Sequence, residues 1–144
     1  MLVEFPQYPF KIKEEEGRTL IFDTIRKSWM VLMPEEWVRQ NFIQYLIQVK
    51  KYPATLIAIE KEIMLGELVK RFDILVYDKN HQPWMIIECK GMEAALNESA
   101  LEQVLRYNIS VPVPYLVVTN GGHTFAFEKK EGVLERMEEL PEIQ

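Results

Sequence analysis

Cysteine is nearly absent. Cys89 stands alone among 144 residues, which rules out a disulfide within the chain and any zinc site built from several cysteines. Free of such cross-links, the chain reads as a protein of a reducing compartment, and a cytoplasmic setting is the expectation. Long apolar runs are missing as well. Nothing approaches the ~18 residues of a membrane span; the apolar stretches are strand-sized, as in Tyr115-Leu116-Val117-Val118. The opening residues, Met1 to Pro6, lack the basic start and apolar run of a secretory signal, so no membrane is expected among the partners. The phosphate-binding pattern G-x-x-x-x-G-K-[ST] does not occur, nor do repeats or low-complexity stretches. His81 and His123 have no second ligand at zinc-like spacing and are assigned no metal. Positive charge is also scarce. The formal net charge is −5, opposite in sign to the usual nucleic-acid footprint. That value averages over a surface, however. Acids concentrate at Glu14-Glu15-Glu16 and from Glu131 to Glu142, while the basic pairs Lys50-Lys51 and Lys70-Arg71 lie between them.

What is present suits a globular protein of one domain, residues 1–144, long enough to bury a core without staples. Residues 1–33 hold two short apolar stretches, Thr19 to Phe22 and Trp29 to Leu32, and read as an N-terminal hairpin or an extended arm. A helix begins at Pro34, since proline fits the first helical position and Glu35 and Glu36 complement the helix dipole. Val38, Phe42, Tyr45, Leu46 and Val49 continue it at helical spacing, and Pro53 lies beyond its end. Thr55 to Glu60 reads as a strand. Arg71 to Tyr77 and Trp84 to Lys90 read as a hairpin around the turn formers Asp78 to Pro83. Asn97 caps a second helix running to Tyr107, with Leu101, Val104 and Leu105 turned inward. Tyr115 to Thr119 forms a strand, Asn120-Gly121-Gly122 a turn, and His123 to Glu128 a returning strand. The acidic tail, 129–144, reads as a short helix or a partly mobile end. The order helix, strand, hairpin, helix, strand, strand predicts an α/β (α+β) protein with a mixed sheet flanked by helices.

The hairpin carries the chemistry. If it is symmetric about the Asn80–His81 bond, Asp73 lies opposite Glu88, and opposed side chains share a face with Cβ atoms about 4.5–5.5 Å apart. Lys90, two residues beyond Glu88, points to the same face. Two opposed carboxylates among Ile74, Val76, Ile86 and Ile87 repel each other, and a cation resolves the conflict. Magnesium or manganese would suit it, because such ions accept one or two protein carboxylates and leave positions for water and phosphate. Lys90 beside them could orient the attacking water or stabilise charge on a phosphate. Cys89 should point to the opposite, core-facing side. Trp29, Trp37 and Trp84 read as core or cover rather than as platforms for bases.

The segments Arg71-Phe72-Asp73-Ile74-Leu75-Val76-Tyr77-Asp78 and Ile86-Ile87-Glu88-Cys89-Lys90 resemble the core of the PD-(D/E)XK nuclease superfamily. Gln103-Val104-Leu105-Arg106-Tyr107 resembles the Q-x-x-x-Y motif of type I restriction enzyme R subunits. The strand Tyr115 to Thr119 with its Asn120-Gly121 turn, and the helix starting Pro34-Glu35-Glu36-Trp37, resemble further parts of that group. The ordered series spans residues 34–128 and is similar to the N-terminal nuclease domain of the R subunits. It implies a restriction-endonuclease-like fold and a magnesium- or manganese-dependent endonuclease that hydrolyses DNA. It further implies Asp73 and Glu88 as metal ligands, Lys90 as the catalytic lysine, and Gln103 and Tyr107 on a helix face turned to the active site. The resemblance also implies that an acid of the first helix assists the metal. Glu35 and Glu36 are both candidates, and helical geometry favours Glu36, which shares a face with Gln40. The motor that follows this domain in R subunits has no counterpart here, so the expected partners are DNA with a second copy of the chain or separately encoded restriction or motor subunits. The alternative is a non-cleaving DNA- or protein-binding module that keeps the nuclease fold.

Overall fold

The computed structural model describes residues 1–143, so Gln144, the last residue of the tail, lies outside it. Near the N-terminus, β1 (Ile12–Glu15), β2 (Arg18–Asp23) and β3 (Ser28–Val31) pair antiparallel in the order β1-β2-β3. The expected hairpin or arm is therefore a three-stranded sheet. Its first strand, Ile-Lys-Glu-Glu, is largely exposed and charged, so it offers no apolar signal; it forms by pairing Ile12 with Ile21 and Glu15 with Arg18.

Helix α1 (Pro34–Gln44) starts where the proline predicts. It passes into a π-helical turn, Tyr45–Val49, in which the Lys50 amide reaches back to the Tyr45 carbonyl at 3.1 Å. That widening ends the regular spacing, and Val49 comes out exposed rather than inward. Lys51 takes a left-handed conformation with φ of 62°, and the chain leaves the helix.

Six strands make the main sheet: β4 (Ile57–Leu65), β5 (Leu68–Tyr77), β6 (Pro83–Cys89), β7 (Tyr115–Thr119), β8 (Thr124–Lys130) and β9 (Val133–Met137). They lie in sequence order, and only β6 and β7 run parallel, joined through helix α2 (Glu98–Asn108). The Asn97 side chain caps α2, accepting the Ala100 amide at 2.8 Å. The tail supplies β9 where a short helix was expected. Its alternating half-buried residues pair along β8, from Val133 with Lys130 to Met137 with Ala126. Strands β4 and β5 are also longer than expected, because they continue into a second hairpin turning at Gly66.

The sheet separates two apolar clusters. Val38, Phe42, Ile43 and Leu46 of α1 pack with Ile74, Val76, Met85, Ile87, Cys89 and Val117. On the other side, Phe72, Leu75, Ile86 and Leu116 pack with Val111, Val113 and, from α2, Leu105. Alternation from Ile74 to Val76 and from Met85 to Ile87 sends neighbouring residues to opposite clusters. Among the described residues no helix is long and apolar enough to cross a membrane.

Candidate active site

The β5–β6 hairpin does not close symmetrically. Asp78 closes it, donating its amide to the Gln82 carbonyl at 2.9 Å and accepting the Asn80 and Gln82 amides on Oδ1. Tyr77 then faces Pro83 instead of Trp84. A bulge beside Val76 absorbs that offset, so Val76–Met85, Leu75–Ile86 and Ile74–Ile87 are the pairs that symmetry about Asn80–His81 predicts. The ladder's last pair is Ile74 with Ile87. Immediately beyond it, the Asp73 side chain accepts the Cys89 amide on Oδ2 at 2.7 Å. A carboxylate is thus bound to the neighbouring strand where the two strands part.

The other oxygen of Asp73 receives Nη2 of Arg39 at 2.9 Å. Arg39 comes from α1 and is buried. Its Nη1 donates to Glu36 at 2.8 Å, and Glu60 lies 3.4 Å from Nη2. Burial disfavours the cation, but Glu36 and Asp73 more than offset this, and Arg39 stays charged. Arg26, from the β2–β3 turn, holds both oxygens of Glu36 at 2.9 Å and Asp23 at 2.7 Å. Gln40 donates to Asp23 at 2.8 Å and to Glu36 at 3.0 Å. Two arginines and a glutamine therefore occupy the Glu36 carboxylate. The structure does not bring Glu36 to Glu88; it brings Glu36 to arginines, because the helix face shared with Gln40 looks toward the N-terminal sheet.

Glu88 has a different environment. Burial raises its pKa, the neighbouring Asp73 carboxylate within hydrogen-bonding reach raises it further, and Lys90 offsets only part, leaving it at about 8. Glu35 belongs to the same field: burial and then Asp73 push its pKa up, while Arg39 and Lys90 pull it down. Glu35 thus lies in the field of Asp73 and Lys90.

A cleft of about 370 Å³ opens at this point, lined by Arg71, Glu88, Lys90, Gln103, Tyr107 and Asn108 among others. Glu88, Lys90, Gln103 and Tyr107 of the sequence-derived set thus share one cavity, with Asp73 beside Glu88. Lys90 is exposed, and its backbone amide is anchored on the Thr119 carbonyl at 2.8 Å. Lys70 fixes the α2 wall. Its Nζ donates to the Tyr107 carbonyl at 2.7 Å and lies 4.4 Å from the centre of the Tyr107 ring. Asn108 is buried, and its Oδ1 has no partner among the described residues. Cys89 is fully buried on the α1 side, and burial pushes its thiol well above the ordinary range, as suits a core residue.

The family model for the type I restriction enzyme R protein N terminus matches residues 34–143. The chain belongs to that family. Membership ties it to restriction enzymes and so to nuclease-related chemistry, and the mixed sheet with its flanking helices agrees with a restriction-endonuclease-like fold. The match to the R-protein family begins at the first residue of α1 and leaves the N-terminal sheet outside it. No curated protein matches the chain.

Sequence reasoning assigned no role to Arg26, Arg39, Asp23 or Glu60. Spacing held part of the signal: Arg39 lies three and four residues after Glu36 and Glu35, and Arg26 three after Asp23. Their network, which meets Asp73 through Arg39, arises only when the N-terminal sheet, α1 and β4 come together.

Proposed function

We propose that the chain is a metal-dependent nuclease domain that hydrolyses DNA phosphodiester bonds in the cleft beside Glu88. The observation that carries this reading is the meeting of Glu88, Lys90, Gln103 and Tyr107 in one cavity, with Asp73 against Glu88. Asp73 and Glu88 fit a hard divalent ion such as magnesium or manganese. Both offer oxygen donors, and burial first and the Asp73 carboxylate second raise the pKa of Glu88, a strain that a cation between the two carboxyl groups would relieve. Among the described residues no group of three or more acidic, histidine or cysteine side chains could hold an ion. The protein would therefore supply two ligands, as magnesium sites that keep several waters do. When bound, the ion supplies a polarised phosphate oxygen and a water of lowered pKa.

The chain's own residues do the rest. Asp73 is held on both oxygens, so it presents its remaining lone pairs in a fixed direction. Lys90 extends into the cleft beyond Glu88 and stabilises negative charge developing on the phosphate. Gln103 and Tyr107 form the opposite wall and position the DNA strand, with Arg71 at the same cavity to meet the backbone. Glu35, rather than Glu36, is the assisting acid in this reading. Family membership supports DNA as substrate and other restriction subunits as partners.

A second reading, a non-cleaving module that keeps the fold, draws on Arg39, which already neutralises part of Asp73. One experiment separates the two. Plasmid and linear DNA are incubated with wild type and Glu88→Ala in magnesium or manganese. The nuclease reading expects nicking or cutting by wild type alone. DNA binding without cutting in either metal favours the module.

A further inference from the structure

The N-terminal sheet lies outside the family match, yet its β2–β3 turn reaches the acidic centre. Asp23, fully buried at the end of β2, accepts the amides of Ile25 at 2.7 Å and Arg26 at 2.9 Å, which shapes the turn and aims Arg26 inward. Arg26 then touches three carboxylates: Asp23, Glu36 and, at 3.5 Å, Glu60. Arg39 touches Glu36, Glu60 and Asp73. Glu36 and Glu60 are thus each shared by both guanidinium groups. The four side chains close a ring, and Asp73 hangs on the Arg39 side of it.

We infer that Arg26 is a positioning residue for Asp73, acting through Glu36, Glu60 and Arg39, so that the N-terminal sheet is part of the catalytic unit; this rests on the reading of Asp73 as a metal ligand. The argument is one of competition. Arg39 has two terminal nitrogens for Glu36, Glu60 and Asp73, with Glu35 a further 3.7 Å neighbour. While Arg26 holds Glu36 and Glu60, Nη2 of Arg39 keeps Asp73 as its nearest acceptor, at 2.9 Å against 3.4 Å to Glu60. Without Arg26, both glutamates turn to Arg39 alone and draw it away. Asp73 then keeps only the Cys89 amide and loses its fixed direction. A lysine at position 26 preserves the charge but not the planar fork that reaches three carboxylates at once.

The Cys89 amide reports Asp73 without any metal, because it donates to Oδ2 at 2.7 Å. The experiment compares amide NMR spectra of metal-free wild type, Arg26→Ala, Arg26→Lys and Val111→Ala, the last a packing change in the other apolar cluster. Calorimetric titration with magnesium and manganese follows, at a temperature where each variant is folded. In both Arg26 variants the Cys89 amide should move from its wild-type position. Metal affinity should fall by about tenfold in Arg26→Ala, the low end for partners that orient a metal ligand, and by less in Arg26→Lys. Val111→Ala should lose stability and change neither. An Arg26→Ala protein that matches Val111→Ala in both readouts overturns the inference, and so does a change in one readout without the other. If wild type itself binds neither metal, the metal reading falls, and the Cys89 amide alone decides whether Arg26 positions Asp73. Should Arg26→Ala fail to fold, Arg26→Lys carries the same comparison.

Discussion

Asp23, fully buried, and Glu88, half-buried, are both acids near strand ends, and the protein treats them oppositely. Burial pushes Asp23 up, but two backbone amides, Arg26 and Gln40 more than reverse this, and its pKa ends below the usual carboxylate range. Burial also pushes Glu88 up, but its nearest charged neighbour is another carboxylate, and the pKa reaches about 8. One acid has been given every partner it can use; the other has been left short of positive charge at the mouth of a cleft. A fully partnered acid holds a fold together, whereas an under-compensated one beside open space is poised for a ligand.

Substitutions at the two acids and their neighbours should separate these roles. The largest effect is expected on the structural side. Asp23→Ala leaves Arg26 short of a buried partner and two amides without an acceptor, and should cost about 3–5 kcal/mol of stability, read from urea unfolding. A loss below about 1 kcal/mol would show that water replaces the carboxylate readily. On the chemical side, Lys90→Ala should lower DNA cleavage by ~10²–10³, roughly 3–4 kcal/mol in the barrier, while stability stays within about 0.5 kcal/mol because Lys90 is exposed. Equal cleavage by wild type and variant removes Lys90 from the mechanism.

Glu88 itself offers a pH test. Its folded pKa lies above the ordinary value of 4.5, so its contribution to stability is whole below that value and lost as pH rises through about 8. Metal-free wild type should therefore weaken between pH 5 and pH 9, and Glu88→Gln should not. At pH 9 the variant should be the more stable by on the order of 1 kcal/mol, measured in denaturant with a chelator present. Parallel pH profiles would mean that Glu88 is better compensated than its neighbours indicate. The smallest effect is expected at Gln103, on the far wall. Gln103→Ala should reduce cleavage by less than about tenfold, or 1.4 kcal/mol, and a null result as deep as that of Lys90→Ala would promote it from positioning to chemistry.

The sequence was most informative where one local signal sufficed. Pro34 with two following acids marked α1, Asn97 marked α2, and the apolar run Tyr115 to Thr119 marked β7 to the residue. Pairing of Ile74 with Ile87 followed from the turn composition, although the turn itself closes around Asp78 and a bulge restores the register. Strands β1 and β9 escaped because their residues are mainly charged or alternate weakly, and an edge strand needs only one partner. That Glu88, Lys90, Gln103 and Tyr107 line one cleft could be anticipated because the hairpin symmetry and the resembling α2 motif put them at one strand end and on one helix face. The arginine ring was not, since its members come from three separate elements and no spacing in one of them announces the others. The face that Glu36 shares with Gln40 was legible from helical spacing, but that the face meets Arg26 of the N-terminal sheet was not.

The backbone at Glu60 also marks the outer edge of the main sheet. Strand β4 is an outer strand of the six-stranded sheet, nine residues long and rich in isoleucine, and such an edge is a template for adding further strands. Glu60 sits near its middle with φ of 49°, a left-handed conformation that costs energy in a residue with a side chain. The conformation departs there from the extended backbone that a new strand would pair with, and Lys61 and Glu62 follow, both exposed. The same residue that closes the arginine ring thus sets a left-handed backbone and a run of charge in the middle of the edge, features that disfavour the addition of a further strand.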